Sequence, residues 1–143
     1  YPQLCDIYGA GWANELGSSY KGQLDGYHKK SKSTNTKFTG LINYKYSLSI
    51  ENCSKKNYFT EKFTDCILCW CIPIYYGCTN INKYFPKDSY YVIDITEKDC
   101  VEKIVDIINN PITKKNIDAL KEARELILNK YNIWSSIEQI IKI

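Results

Sequence analysis

YFTEKFTDCILCWCIPIYYG, residues 58–77, sets three cysteines and a tryptophan behind a charged opening, and its reading decides the fold. Thr60 is a natural N-cap for a helix expected across 61–71. Phe63, Ile67, Trp70 and Cys71 fall at helical spacing on one face, with Cys66 and Cys69 beside them. Pro73 is expected to stop that helix, and IPIYY (72–76) reads as a buried strand ending at Gly77. The same cysteines raise the question of a zinc site. Such a site needs four ligands, as paired Cys-x2-Cys or Cys/His arms. Here Cys66 and Cys69 form a single pair, and the one histidine, His28, lies far upstream in a polar run. The thiols therefore read as small core fillers on the inner face of the helix, with Trp70 among them and no metal bound.

Working outward, residues 44–50, YKYSLSI, alternate and favour strand, running into Glu51 and Asn52. LCDIY (4–8) reads as a short strand ending in the turn GAG (9–11), and residues 12–40 as a long polar loop. Residues 80–85 suit one or two helical turns, and YYVIDI (90–95) another strand. Thr96 and Asp99 resemble a capping box ahead of a helix with Val101, Ile104, Val105 and Ile108 inward, closed by Pro111. A second helix is expected over 114–129 with Ile117, Leu120, Ala123 and Ile127 inward. A third is marked by Trp134, Ile137, Ile140 and Ile141. This order predicts an α/β fold, a Rossmann-like, mostly parallel sheet with helices on both faces, in one domain over 1–143. Ligands of such sheets bind beyond the carboxyl ends of the strands.

Composition bounds the function classes. The 143 residues are 44% hydrophobic and 14% aromatic, which excludes a disordered chain. A net charge of +3 is too weak for a nucleic-acid binder but suits an anionic small ligand. No apolar run approaches the roughly 20 residues of a membrane helix, and the start does not read as a signal peptide. The chain opens on Tyr1 and holds no methionine, so a domain of a longer protein is expected. Seven cysteines, an odd number among periodic helices, suggest a reducing compartment, cytoplasmic or membrane-associated, rather than a Golgi-type lumen.

At the predicted carboxyl edge the chain gathers Glu51 and Asn52 from one strand, Tyr58 from the loop, and Thr60, Glu61 and Lys62 from the helix opening. Tyr75, Tyr76, Gly77 and Asn80 come from the next strand and its exit. A helix N-terminus offers unpaired N–H groups and partial positive charge, which suit phosphate, and Lys62 adds a full charge. Glu61 could accept hydrogen bonds from ribose or sugar hydroxyls, and Tyr58 offers a flat face and a hydroxyl. By residue type alone, this phosphate site stands level with an ordinary charged helix start.

The run from Tyr44 to Phe85 resembles the signature of family 10 glycosyltransferases, the α-1,3/1,4-fucosyltransferases. That signature is approximately Y-K-[FY]-S-L-x-[FI]-E-N-S, then Y-[VF]-T-E-K, a helix, [IV]-P-[IV]-Y-[WY]-G and N-I-x-x-[YF]-F. DIYG (6–9), YKG (20–22) and YVIDI (91–95) extend the resemblance to residues 4–95. It implies a GT-B enzyme of two Rossmann-like domains, of which this chain is the C-terminal, donor-binding half. It implies inverting transfer of fucose from GDP-fucose to a glycan hydroxyl, with no bound cofactor and no metal. Tyr58, Thr60, Glu61 and Lys62 would hold GDP, with Lys62 at phosphate. Glu51 and Asn52 would shape the pocket, Asn80 would lie near its rim, and Lys21 of YKG points the same way. The family's phosphate-binding arginine has no counterpart here, since the one arginine is Arg124 in a late helix. That arginine and the general base are expected in a missing N-terminal part, so no catalytic residue is expected in this fragment, which should bind without turnover. Cys53 replaces the motif's serine and Tyr76 its tryptophan, which bears on donor-sugar identity.

The lysine-rich run HKKSKSTNTK (28–37) reads as a solvated loop. Asp6, Asp65 and Asp94 read as structural carboxylates. The same fold with another donor sugar, or a non-catalytic nucleotide- or glycan-binding module, remains an alternative. A dinucleotide oxidoreductase is disfavoured, because no G-x-G-x-x-G follows a strand.

Overall fold

A computed structural model of the chain describes residues 4–12, 14–24 and 37–141. The chain divides between Asn43 and Tyr44 into two compact units. The lysine-rich run lies outside the described residues save for Lys37, and His28 with it.

In the first unit the expected strand at 4–8 reduces to one parallel bridge, Ile7 to Tyr20. Three backbone bonds hold it: Ile7 N–H to Ser19 O at 2.8 Å, Lys21 N–H to Ile7 O at 2.9 Å and Gly9 N–H to Gly22 O at 3.0 Å. Pairing ends there because Gly9 and Gly11 take φ of 135° and 82°, which turns the chain out of extended geometry. The supposed loop that follows contains a short 3-10 segment, Asn14–Ser19, kinked at Gly17.

The second unit is built on a three-stranded sheet ordered β1-β2-β3, with every pair parallel. Strand β1 is Tyr46–Ile50, helix α1 Glu61–Leu68, β2 Ile72–Tyr76 and β3 Tyr91–Val92. Helices α2 Cys100–Asn109, α3 Lys114–Asn129 and α4 Ile133–Ile141 follow. The α/β architecture is therefore as expected. Strand β2 lies central, which explains its nearly unbroken apolar run. Phe63 and Ile67 of α1, with Leu120, Ala123 and Ile127 of α3, pack around Tyr75 on one face of the sheet. Ile74 and Ile93 meet Cys100, Ile104, Ile107 and Ile108 of α2 in a separate cluster.

Several boundaries differ from the sequence expectation. Helix α1 ends at Leu68, not 71. Cys71 N–H bonds Cys66 O at 2.9 Å and Trp70 N–H bonds Ile67 O at 3.1 Å, the two bonds of a Schellman ending. The left-handed residue of that motif is Trp70, with φ 60°, where glycine is usual. Trp70 is thus turned out, 49% exposed, rather than packed inward, and the guanidinium of Arg124 lies 5.5 Å over its ring. Pro73 does not stop the helix but sits inside β2. Ile72 N–H points to β1, bonding Lys45 O, so the donor that Pro73 lacks would face the side where β3 pairs only from Ile74 onward.

Strand β3 is two residues rather than six, because Asp94 folds the chain away by accepting from Thr96 N–H and Oγ1 at 2.9 and 2.7 Å. The capping box expected at Thr96 and Asp99 is absent, and Asp99 makes no side-chain cap bond. A capping box forms instead at Thr113 and Asn116. It turns Asn116 inward with Leu120, Ala123 and Ile127, and leaves Ile117 exposed. Val101 is likewise exposed, one position off the buried Cys100. No residue of α4 is buried, so Trp134, Ile137, Ile140 and Ile141 face outward.

Candidate functional site

All three strands point their carboxyl ends the same way, so Glu51, Gly77 and Asp94 share one edge, and the loop from β1 brings α1's N-terminus to it. Glu51 extends the ladder by one bond beyond β1, its N–H reaching Tyr76 O at 2.9 Å. Its side chain is buried, with none of its surface exposed. A buried carboxylate needs donors. Thr60 supplies two: its backbone N–H at 2.7 Å and its hydroxyl at 2.9 Å to Oε2. Lys62 Nζ stands 3.8 Å from the same Oε2. The Thr60 hydroxyl in turn accepts from Lys62 N–H at 3.3 Å, which makes it the N-cap of α1.

The helix is seated from below as well. Ser49 of β1, buried, donates to Lys62 O at 2.6 Å and lies 3.1 Å from Cys66 Sγ. Gly77 is required by closeness: a Cβ there would stand 2.5 Å from the Tyr75 hydroxyl and run into Glu51 Cγ. The Tyr75 hydroxyl accepts from Cys78 N–H at 2.8 Å. Burial pushes its pKa up, beyond the lowering effect of that bond.

The structure therefore brings Glu51, Thr60 and Lys62 into one bonded cluster. Lys62 is about one-third exposed, so its ammonium sits at the boundary between that cluster and solvent. Glu61 opens the helix on the exposed side, Asn52 is exposed just beyond Glu51, and Tyr58 is half-buried two residues ahead of the cap. Asn80 is engaged with Asn57, giving its amide N–H to Asn57 Oδ1 at 2.7 Å and accepting Asn57 N–H at 2.8 Å. Asn57, at φ 59°, was not singled out in the sequence. Asn is the side chain that best tolerates that conformation, and this was the available signal. Lys21 belongs to the first unit and pairs with Asp6 at 3.4 Å. A groove of about 1000 Å³ starts at Ser54 and Gly77 and runs past Tyr76 and Asp94 to Thr113. It adjoins the cluster, but none of the eight predicted site residues lines it.

The cysteines behind the opening are buried at Cys66, Cys69 and Cys71 and are not disulfide-bonded. Burial, then the neighbouring Cys66 and Cys69, push the Cys71 thiol well up. It stays protonated at neutral pH, the state of a packing group rather than a nucleophile. Arg124, the one arginine, serves the far end of α1, its Nε reaching Leu68 O at 3.4 Å. That is about 12 Å from the helix opening at 1.5 Å rise per residue.

Residues 5–121 match the model of the C-terminal region of glycosyltransferase family 10 (fucosyltransferase). A fucosyltransferase-like protein of Arabidopsis thaliana is 33% identical over 73 residues, a stretch that is 50% of this chain and 14% of that protein.

Proposed function

The chain belongs to glycosyltransferase family 10, and we propose that its second unit holds the diphosphate of a nucleotide-sugar donor at the opening of α1, with GDP-fucose as the donor. The observation that carries this reading is Lys62. It stands in the first turn of a helix, at the positive end of the helix dipole, and its ammonium is only loosely held, 3.8 Å from a buried carboxylate. A diphosphate arriving at that opening meets a full positive charge together with the positive end of the helix dipole. As the sugar bond breaks, negative charge grows on the leaving diphosphate, and Lys62 offsets it there.

Glu61, exposed beside it, accepts from ribose hydroxyls, and Tyr58 lies against the nucleoside. Glu51 does not touch the donor in this reading, since its carboxylate is taken by Thr60 and Lys62; it fixes the opening instead. Transfer is inverting, with the glycan hydroxyl attacking opposite the departing diphosphate. Its proton goes to a base supplied by another part of the enzyme.

The test is titration with GDP, GDP-fucose, UDP and ADP, followed by heat of binding and melting temperature. GDP at a hundred times its dissociation constant should stabilise by about 2.7 kcal/mol. Lys62→Ala should abolish selective GDP binding while leaving the melting temperature of the free protein within a few degrees. Preference for UDP would replace fucose with another sugar, and GDP binding unaffected by Lys62→Ala would remove the phosphate from α1.

A further inference from the structure

Tyr84 touches both neighbours of Tyr58. Its hydroxyl donates to Asn57 Oδ1 at 2.7 Å, and its ring lies 5.2 Å from that of Phe59. We propose that Asn57, Asn80 and Tyr84 form a latch that fixes Tyr58 in its donor-binding position before the donor arrives. Asn57 and Asn80 are then positioning residues rather than donor contacts. The inference rests on the donor reading above and names the device that shapes that site.

The loop from Glu51 to Thr60 has no regular structure of its own, so its order comes from its bonds. Glu51 closes its two ends through Thr60. Ser54 Oγ donates to Gly77 O at 2.9 Å, and Thr79 N–H reaches Lys55 O at 3.4 Å, stitching the near side. Asn57 carries the tightest knot. Its N–H goes to Asn80 Oδ1 at 2.8 Å, and its Oδ1 receives both Asn80 Nδ2 and Tyr84 Oη.

The left-handed backbone of Asn57 is disfavoured for a residue with a side chain. Three hydrogen bonds hold it there, and the turn it makes sets the direction in which the chain enters Tyr58. On the other side Phe59 is locked among Phe63, Tyr84 and Phe85 at 6.4, 5.2 and 5.5 Å. Tyr58 thus stands between two fixed residues. A loop already in its bound form does not have to be ordered by the ligand, and affinity rises accordingly.

The latch makes Asn57 and Asn80 act as one unit. In the full chain, Asn80→Ala and Asn57→Gly should each weaken GDP binding about tenfold, and the double variant no more than either alone. Glycine is chosen at 57 because it keeps the left-handed backbone available while removing the amide. Tyr84→Phe removes one hydroxyl and keeps the ring in its cluster, and should weaken GDP about threefold.

A donor-independent reading comes from trypsin cleavage after Lys55 and Lys56, both exposed in this loop. Without GDP, cleavage should accelerate several-fold in the single variants at unchanged melting temperature. Multiplicative losses in the double variant, about a hundredfold, would mean that Asn80 contacts the donor separately and would overturn the latch. Unchanged cleavage would overturn it whatever GDP does. Faster cleavage in the variants of a wild-type chain that does not bind GDP would instead sink the donor reading, and the positioning role with it.

Discussion

Two helices of this protein open on a threonine cap, and they do so differently. At α3 the device is self-contained. Thr113 Oγ1 accepts from Asn116 N–H at 3.3 Å, and Asn116 Oδ1 accepts from Thr113 N–H at 3.0 Å, so donors and acceptors are matched within one turn. Every group is neutral, and Asn116 passes its remaining N–H to Asp88 O at 3.0 Å. At α1 the acceptor behind the cap comes from another element, nine residues back on the strand end, and it is charged. The lysine it draws in remains about one-third exposed. A cap that completes itself matches its donors and acceptors within one turn and draws in no charge. One completed by a buried carboxylate leaves a cation about one-third exposed at the positive end of the helix.

The sharpest way to break this contrast is at Gly77, where the carboxylate of the α1 cap is packed against the exit of β2. Gly77→Ala places a methyl against Tyr75 and Glu51 side chains that have nowhere to go, and should cost about 3 kcal/mol in urea unfolding. A cost under about 1 kcal/mol would mean the two elements are not held as closely as described.

Of the same size, Glu51→Ala should destabilise by about 3 kcal/mol, because it removes the acceptor of one charged and two polar donors. Asn116→Ala, at the neutral cap, should cost about 1–2 kcal/mol. Equal losses at the two positions would erase the distinction between a charged, borrowed cap and a local one. Smallest in stability are Thr60→Ala and Thr113→Ala, each about 1 kcal/mol. They separate in GDP affinity, which should fall at least fivefold for Thr60→Ala and stay within twofold for Thr113→Ala.

The parts of the fold that could be read from sequence are those where one residue's chemistry decides the outcome locally. Thr60 caps α1 because a hydroxyl followed by a helical stretch has one good use. IPIYY is a central strand because it is apolar throughout. What escaped depended on distant partners. The end of α1 was misplaced because Trp70 occupies a glycine position, a choice that makes sense only with Arg124 stacked on it from α3. The inward faces of α2 and α3 hold at Ile104, Ile108, Leu120, Ala123 and Ile127, and only the first position of each stripe is off, at Val101 and Ile117, where the helix start rather than the periodicity decides which residue turns inward.

At the opening of α1, the sequence singled out Glu51, Thr60 and Lys62 but not the bonds between them. Glu51 looked like a pocket wall and is a buried brace; Asn80 looked like a rim residue and is bonded to Asn57. Backbone conformation at Asn57 and contacts across 23 residues leave no periodic trace.

The spans of these contacts also bear on how the molecule assembles. The Glu51–Thr60 clasp closes nine residues, the Ser49–Lys62 bond 13 and the Asn57–Asn80 knot 23, whereas the Arg124–Leu68 brace joins residues 56 apart. Loop closure costs entropy that rises with the logarithm of length, and loops of about ten residues close in roughly 10–100 ns. Parallel pairing of β1 with β2, from Tyr46 with Ile72 to Ile50 with Tyr76, spans more chain than any of the three bonds at the α1 opening and less than the Arg124 brace. The opening of α1 is therefore closed through shorter loops, at a lower entropic cost, than the contact that ties its far end to α3.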